Sequence, residues 1–311
     1  MARVQTLQLA DPGSGEVRVR MQFAPINPAN LNVLEGKYPI RPKLPGVPGV
    51  EGVGIVEMCG FGADSPAVGS RVLLPHGFGT WREAGNVQAK DLVAVPADVP
   101  MEQAAMLRVN PATALLMLRE FVPLGPGDWV IQNAANSAVG RTVIALARHY
   151  GWRTVNVVRR PELVVELRVL GGDVVLVDSE KLKAEVAEAT EGAPVRLALN
   201  AVGGESAVHL GGILAPGGTV VTYGAMGRQP LRIPNGLLIF QDLVWRGFWV
   251  TRWYERASEV QRAGLFEELF ELARKGVINT PVEAVYPLAQ IAEALEHAAR
   301  PMRAGKILLR R

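Results

Sequence analysis

Arg159 and Arg160 close an apolar run, Thr154-Val155-Asn156-Val157-Val158, that begins soon after Gly140. Where such a strand holds a dinucleotide, an acidic residue at its end accepts from the ribose 2′-hydroxyl. Arginine suits a 2′-phosphate instead, through charge-assisted and often bidentate hydrogen bonds. The pair therefore points to NADPH rather than NADH, with a solvated charge pair at a strand end as the plain alternative. Upstream, Trp129-Val130-Ile131-Gln132-Asn133-Ala134-Ala135-Asn136-Ser137-Ala138-Val139-Gly140 spans a predicted strand, turn and helix start. Small residues fill the first two glycine places of the usual GxGxxG pattern and only Gly140 remains. Small residues still let a pyrophosphate approach a helix N-terminus, where amide donors and the dipole favour anions. Alone, the segment fits an ordinary strand–turn–helix connection equally well. A third piece, Thr222-Tyr223-Gly224-Ala225-Met226, follows a later apolar strand and would lie at the same carboxyl edge.

Those segments need elements to carry them, and the chain changes character along its length. Its first hundred residues are short strand-like runs between Gly and Pro, among them Val17–Phe23, Gly52–Met58 and Arg71–Leu74. Prolines 39, 42, 45 and 48 predict an extended, stiff loop. This part reads as a partly open β-barrel or folded β-domain. Met101–Phe121 reads as helical pieces interrupted at Asn110-Pro111. Strands then alternate with helices: Trp129–Asn133, Ala138–Tyr150, Thr154–Val158, Pro161–Leu170, Val174–Val177, Lys181–Thr190, Arg196–Asn200, Glu205–Leu214 and Thr219–Tyr223. That alternation predicts an α/β fold with a doubly wound parallel sheet. Leu243–Val250 reads as one more strand, Phe266–Lys275 and Leu288–Ala299 as helices, and Gly305–Leu309 as a last strand. The expected division is a β-rich domain over 1–104 and 247–311 with a nucleotide domain over 105–246.

Composition narrows the classes. The chain has 311 residues, 49% hydrophobic and 20% charged, enough for two ordinary cores. A formal charge of +3 with scattered basic residues gives no stripe for nucleic acid. No apolar run is long enough to span a bilayer, so no membrane role is expected. Cys59 is the single cysteine, which excludes an internal disulfide and any multi-cysteine zinc site, and fits a reducing cytoplasm. His76, His149, His209 and His297 show no ligand spacing, so no metal is expected.

Longer stretches resemble the medium-chain dehydrogenases/reductases. Pro25-Ile26-Asn27-Pro28-Ala29-Asn30-Leu31-Asn32, Gly36-Lys37-Tyr38 and Glu51-Gly52-Val53-Gly54 are similar to the front half of that superfamily, and Val109-Asn110-Pro111-Ala112-Thr113-Ala114 to its junction helix. Arg196–Asn200 with Val202-Gly203-Gly204, and Leu238-Ile239-Phe240 with Arg246-Gly247-Phe248-Trp249, resemble the 2-enoyl thioester reductase branch. The resemblance runs in order over nearly the whole chain. It implies a Rossmann nucleotide domain beside a GroES-like catalytic domain, and NADPH-dependent reduction of an enoyl thioester on coenzyme A or acyl carrier protein. It further implies a homodimer paired through the nucleotide domains. Tyr38 takes the place of the family's catalytic acid, and Asn110 is the second candidate catalytic residue. Asn110, Asn136, Ser137, Ala138, Val139, Arg159, Arg160, Tyr223, Gly224, Ala225, Met226, Phe248, Trp249, Val250 and Lys306 match its NADPH contacts. The zinc enzymes' Gly-His-Glu triplet reads Gly49-Val50-Glu51 here, without the histidine.

The implied chemistry is hydride delivery to the β carbon of the enoyl thioester, a developing enolate, and a proton for the α carbon. A phenol with an ordinary pKa of about 10 is protonated at neutral pH and able to donate, which suits Tyr38. Bracing of a proline-rich loop is the other use for an aromatic there. Asn110 has an amide suited to hold Tyr38, the substrate or the nicotinamide amide by hydrogen bonds. Lys37, Arg41 and Lys43 suit the phosphates of coenzyme A or an acidic carrier, or simply a solvated loop. Two other functions stay open: an NADPH:quinone oxidoreductase, which needs no proton-donating Tyr38, and a catalytically silent nucleotide-binding protein.

Overall fold

The computed structural model describes residues 3–39 and 42–311. The chain divides into two compact units. One runs to Val109 and resumes over Ser258–Arg311; the other is Asn110–Ala257.

The first unit is organised by β1 (Glu16–Pro25), whose alternation turns Val17, Val19 and Met21 inward. After it come α1 (Pro28–Leu34), β2 (Val53–Cys59), β3 (Arg71–Leu73), β4 (Ala84–Gln88), β5 (Val93–Ala94) and α2 (Met101–Ala104). β1 pairs antiparallel with both β2 and β4, and Val17, Val19, Val56, Val72 and Leu74 form the core between them.

The second unit opens with α3 (Asn110–Glu120). Asn110-Pro111 begins this helix rather than interrupting it, because a proline in the first turn loses an N–H that has no intrahelical partner anyway. Strands and helices then alternate: β6 (Trp129–Gln132), α4 (Ala138–Tyr150), β7 (Arg153–Val158), α5 (Leu163–Leu170), β8 (Val174–Val177), α6 (Leu182–Ala189), β9 (Val195–Asn200), α7 (Gly204–Ile213), β10 (Thr219–Thr222), α8 (Asn235–Ile239), β11 (Val244–Gly247) and α9 (Val250–Arg256). All pairings are parallel, in the order β11-β10-β9-β6-β7-β8. The order reverses between β6 and β9, which makes their carboxyl ends the switch point where such sheets bind ligands. Ile131, Val155, Val157, Ala198 and Val220 are fully buried, as strands covered on both sides require. The run Leu243–Val250 is not one strand. β11 ends at Gly247 because β10 offers four residues to pair with, and α9 starts at Val250.

The chain returns to the first unit with α10 (Glu259–Arg274), β12 (Val282–Pro287), α11 (Ile291–Ala299) and β13 (Lys306–Arg310). α10 starts well before the expected Phe266 because Ser258 and Gln261 form a capping box. β13 joins β1 antiparallel and β12 parallel, completing the sheet β12-β13-β1-β2-β3-β5 with β4 on β1.

Candidate active site

In the first unit a set of polar side chains is buried where α1, β2 and β13 begin. Glu51 is 0% exposed, so every lone pair it carries needs a protein donor. Asn27 Nδ2 donates to its Oε1 at 2.7 Å, and the Val109 backbone N–H donates to its Oε2 at 2.8 Å. The Thr80 hydroxyl donates to the Glu51 carbonyl at 2.7 Å. Gly49 lies two residues earlier at φ 99°, in the left-handed region, where a Cβ would collide with Thr80 and Trp81. Buried Lys306 donates from Nζ to Asn27 Oδ1. Burial raises the Glu51 carboxyl above the ordinary glutamate value, opposed by Asn27, Lys306, Val109 and Arg108. Burial pulls the Lys306 ammonium down to about 8, with Glu51 working against it and Arg303 adding to it.

Asn27 is also the N-cap of α1, and its backbone N–H donates to Asn30 Oδ1 at 2.8 Å. Beyond the far end of the same helix, the Asn32 carbonyl accepts the backbone N–H groups of Lys37 at 2.8 Å and Tyr38 at 3.2 Å. Tyr38 is half-buried there. Lys37 pairs with Glu35 at 2.6 Å and Lys43 is exposed, while Arg41 lies outside the described residues.

The second unit builds its site along the carboxyl edge of the sheet. Ser137 caps α4 by accepting from the Gly140 N–H at 3.1 Å. A Cβ on Gly140 would lie 2.5 Å from the Ala135 carbonyl oxygen, so glycine is what lets α4 pack this closely on the turn. Ala134 in that turn has φ 48°, a value that side chains rarely adopt. Polar side chains tie the strand ends together. Asn133 Nδ2 donates to Asn200 Oδ1 at 2.9 Å and to the Ser206 hydroxyl at 3.0 Å. Asn200 Nδ2 donates to Thr222 Oγ1 at 3.1 Å, which also accepts from the Trp245 indole at 3.2 Å. Gln132 donates to Asn156 Oδ1 at 2.8 Å and to the Gly140 carbonyl at 2.9 Å.

The same edge carries most of the residues expected to bind cofactor. Asn136, Ser137, Ala138 and Val139 form the turn and first turn of α4. Arg159 and Arg160 follow β7, Arg159 exposed and Arg160 paired with Glu162 at 3.4 Å. Tyr223, Gly224, Ala225 and Met226 follow β10, and Gly224 lies so close to Ala201 that a Cβ would be 2.9 Å from its carbonyl oxygen. The Tyr223 hydroxyl is buried without a well-formed hydrogen bond. Burial pushes its pKa above the ordinary phenol value, with Ser137 pulling the other way. Phe248, Trp249 and Val250 follow β11, and Asn110 begins α3. Lys306 alone of the set belongs to the first unit.

The residues fit a phosphorylated dinucleotide. A helix N-terminus, a turn of small residues, the buried Tyr223 hydroxyl and two guanidinium groups directly after β7 are donors suited to anionic oxygens. Among the described residues no group of three or more His, Cys, Asp or Glu is arranged to hold a metal. Two features escaped sequence reasoning: the Asn27–Glu51–Lys306 cluster and the amide ladder from Gln132 to Thr222. Asn156 interrupts an otherwise apolar strand, and Gln132, Asn133 and Asn200 stand at the ends of two others, which is the signal the sequence carries.

A parallel sheet of this order with its binding edge, in a chain that also carries a β-rich unit, defines the two-part architecture of the medium-chain dehydrogenases/reductases. Residues 13–97 match the alcohol dehydrogenase GroES-like domain family, and residues 138–264 match the family described as zinc-binding dehydrogenase. The mitochondrial enoyl-[acyl-carrier-protein] reductase of Rattus norvegicus is 41% identical over 99% of this chain and 84% of its own length. The chain belongs to the enoyl thioester reductase family of the medium-chain dehydrogenases/reductases. Among solved structures, the complex of Candida tropicalis Etr1p, a 2-enoyl thioester reductase, with NADP and crotonyl-CoA superposes with a TM-score of 0.87 at 29% identity, covering 99% of this chain and 93% of that one. A mycobacterial quinone oxidoreductase gives 0.87 at 26% identity, covering 99% and 94%.

Proposed function

We propose that this protein reduces the C2–C3 double bond of 2-enoyl thioesters with NADPH, and that Tyr38 is its proton donor. The observation that carries the reading is the family relationship over almost the full chain, together with a binding edge that ends in arginines and no acid. The Asn110–Ala257 unit is assigned the cofactor, and the other unit the acyl chemistry. Bound NADPH supplies hydride to the β carbon. Arg159 and Arg160 hold the 2′-phosphate, and the amides at the α4 N-terminus hold the pyrophosphate. Tyr223, Gly224, Ala225, Met226, Phe248, Trp249 and Val250 line the dinucleotide, and Asn110 orients the reacting groups. Lys306 completes the set, since an ammonium has three N–H donors and Asn27 takes one. As charge develops on the thioester oxygen, the Tyr38 hydroxyl stabilises it and delivers a proton to the α carbon.

The acyl carrier is coenzyme A or acyl carrier protein, met by the basic loop around Lys37 and Lys43. No described helix is long and apolar enough to cross a membrane. The reducing cytoplasm suits the single Cys59 thiol, although the Rattus relative is named mitochondrial. The assay is NADPH oxidation with crotonyl-CoA. Tyr38→Phe is expected to lower kcat by roughly 100-fold or more, within the range that general acid catalysis contributes. Full turnover in that variant removes Tyr38 from the mechanism. Quinone turnover without enoyl turnover favours the quinone oxidoreductase reading, which the mycobacterial neighbour supports.

A further inference from the structure

We infer that Asn27, Glu51 and Lys306 form a buried positioning centre that sets the backbone of both Tyr38 and Asn110. The inference rests on the function proposed above for those two residues. Its geometry comes from the hydrogen bonds that leave the cluster. One arm runs from Glu51 Oε2 to the N–H of Val109, the residue immediately before Asn110. The carboxylate thus fixes the Arg108–Val109 peptide, the one immediately before the peptide that leads into Asn110. The other arm runs through Asn27, which caps α1, while the opposite end of α1 offers the Asn32 carbonyl to the N–H groups of Lys37 and Tyr38. α1 has seven residues, so its placement depends heavily on how its first turn is anchored.

The cluster is built to be rigid. Asn27 spends its amide on Glu51 and its carbonyl on Lys306, and its own N–H meets Asn30. A carboxylate without solvent is tolerable only with cations near it, and Lys306 and Arg108 both act on Glu51. Arg108 is itself buried, with its guanidinium 4.8 Å from the Phe266 ring centre. No pairing of these groups is local: Asn27 and Glu51 are 24 positions apart, Asn27 and Lys306 279. Such a costly arrangement of charge would be dispensable if its task were only to fill a core, where apolar side chains of similar volume serve as well. Neither Glu51 nor Asn27 is assigned contact with substrate or cofactor; both act through the residues they hold.

The Val109 arm can be cut alone, or both arms together. In Glu51→Gln the new carbonyl still accepts from Asn27, but its amide meets the Val109 N–H donor to donor. Asn27→Ala removes the α1 cap as well. Amide hydrogen exchange, NADPH binding by fluorescence and steady-state reduction of crotonyl-CoA are measured on the full-length chain. Glu51→Gln is expected to speed exchange at Val109 by about tenfold or more, and Asn27→Ala to do so at Lys37 and Tyr38 also. Both are expected to lower kcat on the order of 10- to 100-fold, as misplacement of reacting groups does. NADPH affinity is expected to fall several-fold less than kcat, since only Asn110 and Lys306 of its contacts are disturbed, a split that general destabilisation does not produce. Unchanged exchange at Val109 in Glu51→Gln overturns the inference whatever the turnover. Faster exchange with kcat within about twofold of the parent overturns the positioning role. If the parent protein itself fails to reduce crotonyl-CoA, the enoyl reading falls and the exchange measurements alone decide on the cluster. Should Asn27→Ala not fold, Asn30→Ala, which removes the acceptor of the Asn27 N–H in the same cap, carries the second arm.

Discussion

Arg159 and Arg160 are neighbours in sequence with different surroundings. Arg160 already has a carboxylate, Glu162, at 3.4 Å, whereas Arg159 is the exposed one directly after β7. A charged hydrogen bond to phosphate contributes about 1.5–3 kcal/mol, with the lower end appropriate to an exposed guanidinium. Arg159→Ala is therefore expected to raise the KM for NADPH by about tenfold or somewhat more, and to leave the KM for NADH nearly unchanged. Arg160→Ala should do less, because Glu162 competes for its charge. Kinetics with both reduced dinucleotides check this, and equal loss for the two cofactors would detach Arg159 from the 2′-phosphate.

At the scale of elements, what a sequence reveals depends on how local the cause is. α4 is legible to the residue because Ser137 caps it, Gly151 ends it in the left-handed conformation, and apolar positions recur at helical spacing between them. The parallel strands are legible because burial on both faces makes them continuous apolar runs. β5 is not, since its two residues become a strand only by pairing with Val72 and Leu73. The cluster around Glu51 is hidden for the same reason, its members being joined by the fold and not by spacing. β11 raises a question that the fold leaves to assembly. It is the edge of the parallel sheet, with Val244 half exposed and Leu238, Ile239 and Phe240 beside it at 41%, 68% and 85%. An exposed edge with an apolar flank invites pairing with another strand. We propose a homodimer in which β11 meets its symmetry mate antiparallel, the closed arrangement that a two-fold axis produces. Sedimentation is expected to give a dimer that Phe240→Glu shifts towards monomer. A monomeric parent protein would end this proposal.

For the molecule as a whole, the buried ions of the first unit make folding stability depend on pH in a particular direction. Lys306 has its pKa pulled down to about 8 by burial, against 10.5 for a free lysine. Between those values the unfolded chain keeps a proton that the folded one has shed, so the free energy of unfolding rises with pH across that window. Below pH 8 both states are protonated and Lys306 contributes no slope. Glu51 acts in the opposite sense at lower pH. Burial raises its pKa, so the folded state holds the extra proton, and stability falls as pH climbs from the ordinary glutamate value through the folded one. The alkaline arm isolates Lys306 if urea unfolding of the parent chain is compared with Lys306→Met at each pH. The variant leaves Asn27 without that donor and Glu51 without that cation, so it is expected to be less stable at neutral pH. The parent's advantage should then widen above pH 8, by up to about 3 kcal/mol if the whole shift is expressed. Trp81 is the tryptophan of the first unit, and the transition it reports is the one expected to move. A difference that stays flat from pH 8 to 10.5 would mean that Lys306 titrates as an ordinary lysine and is not the buried cation of that cluster.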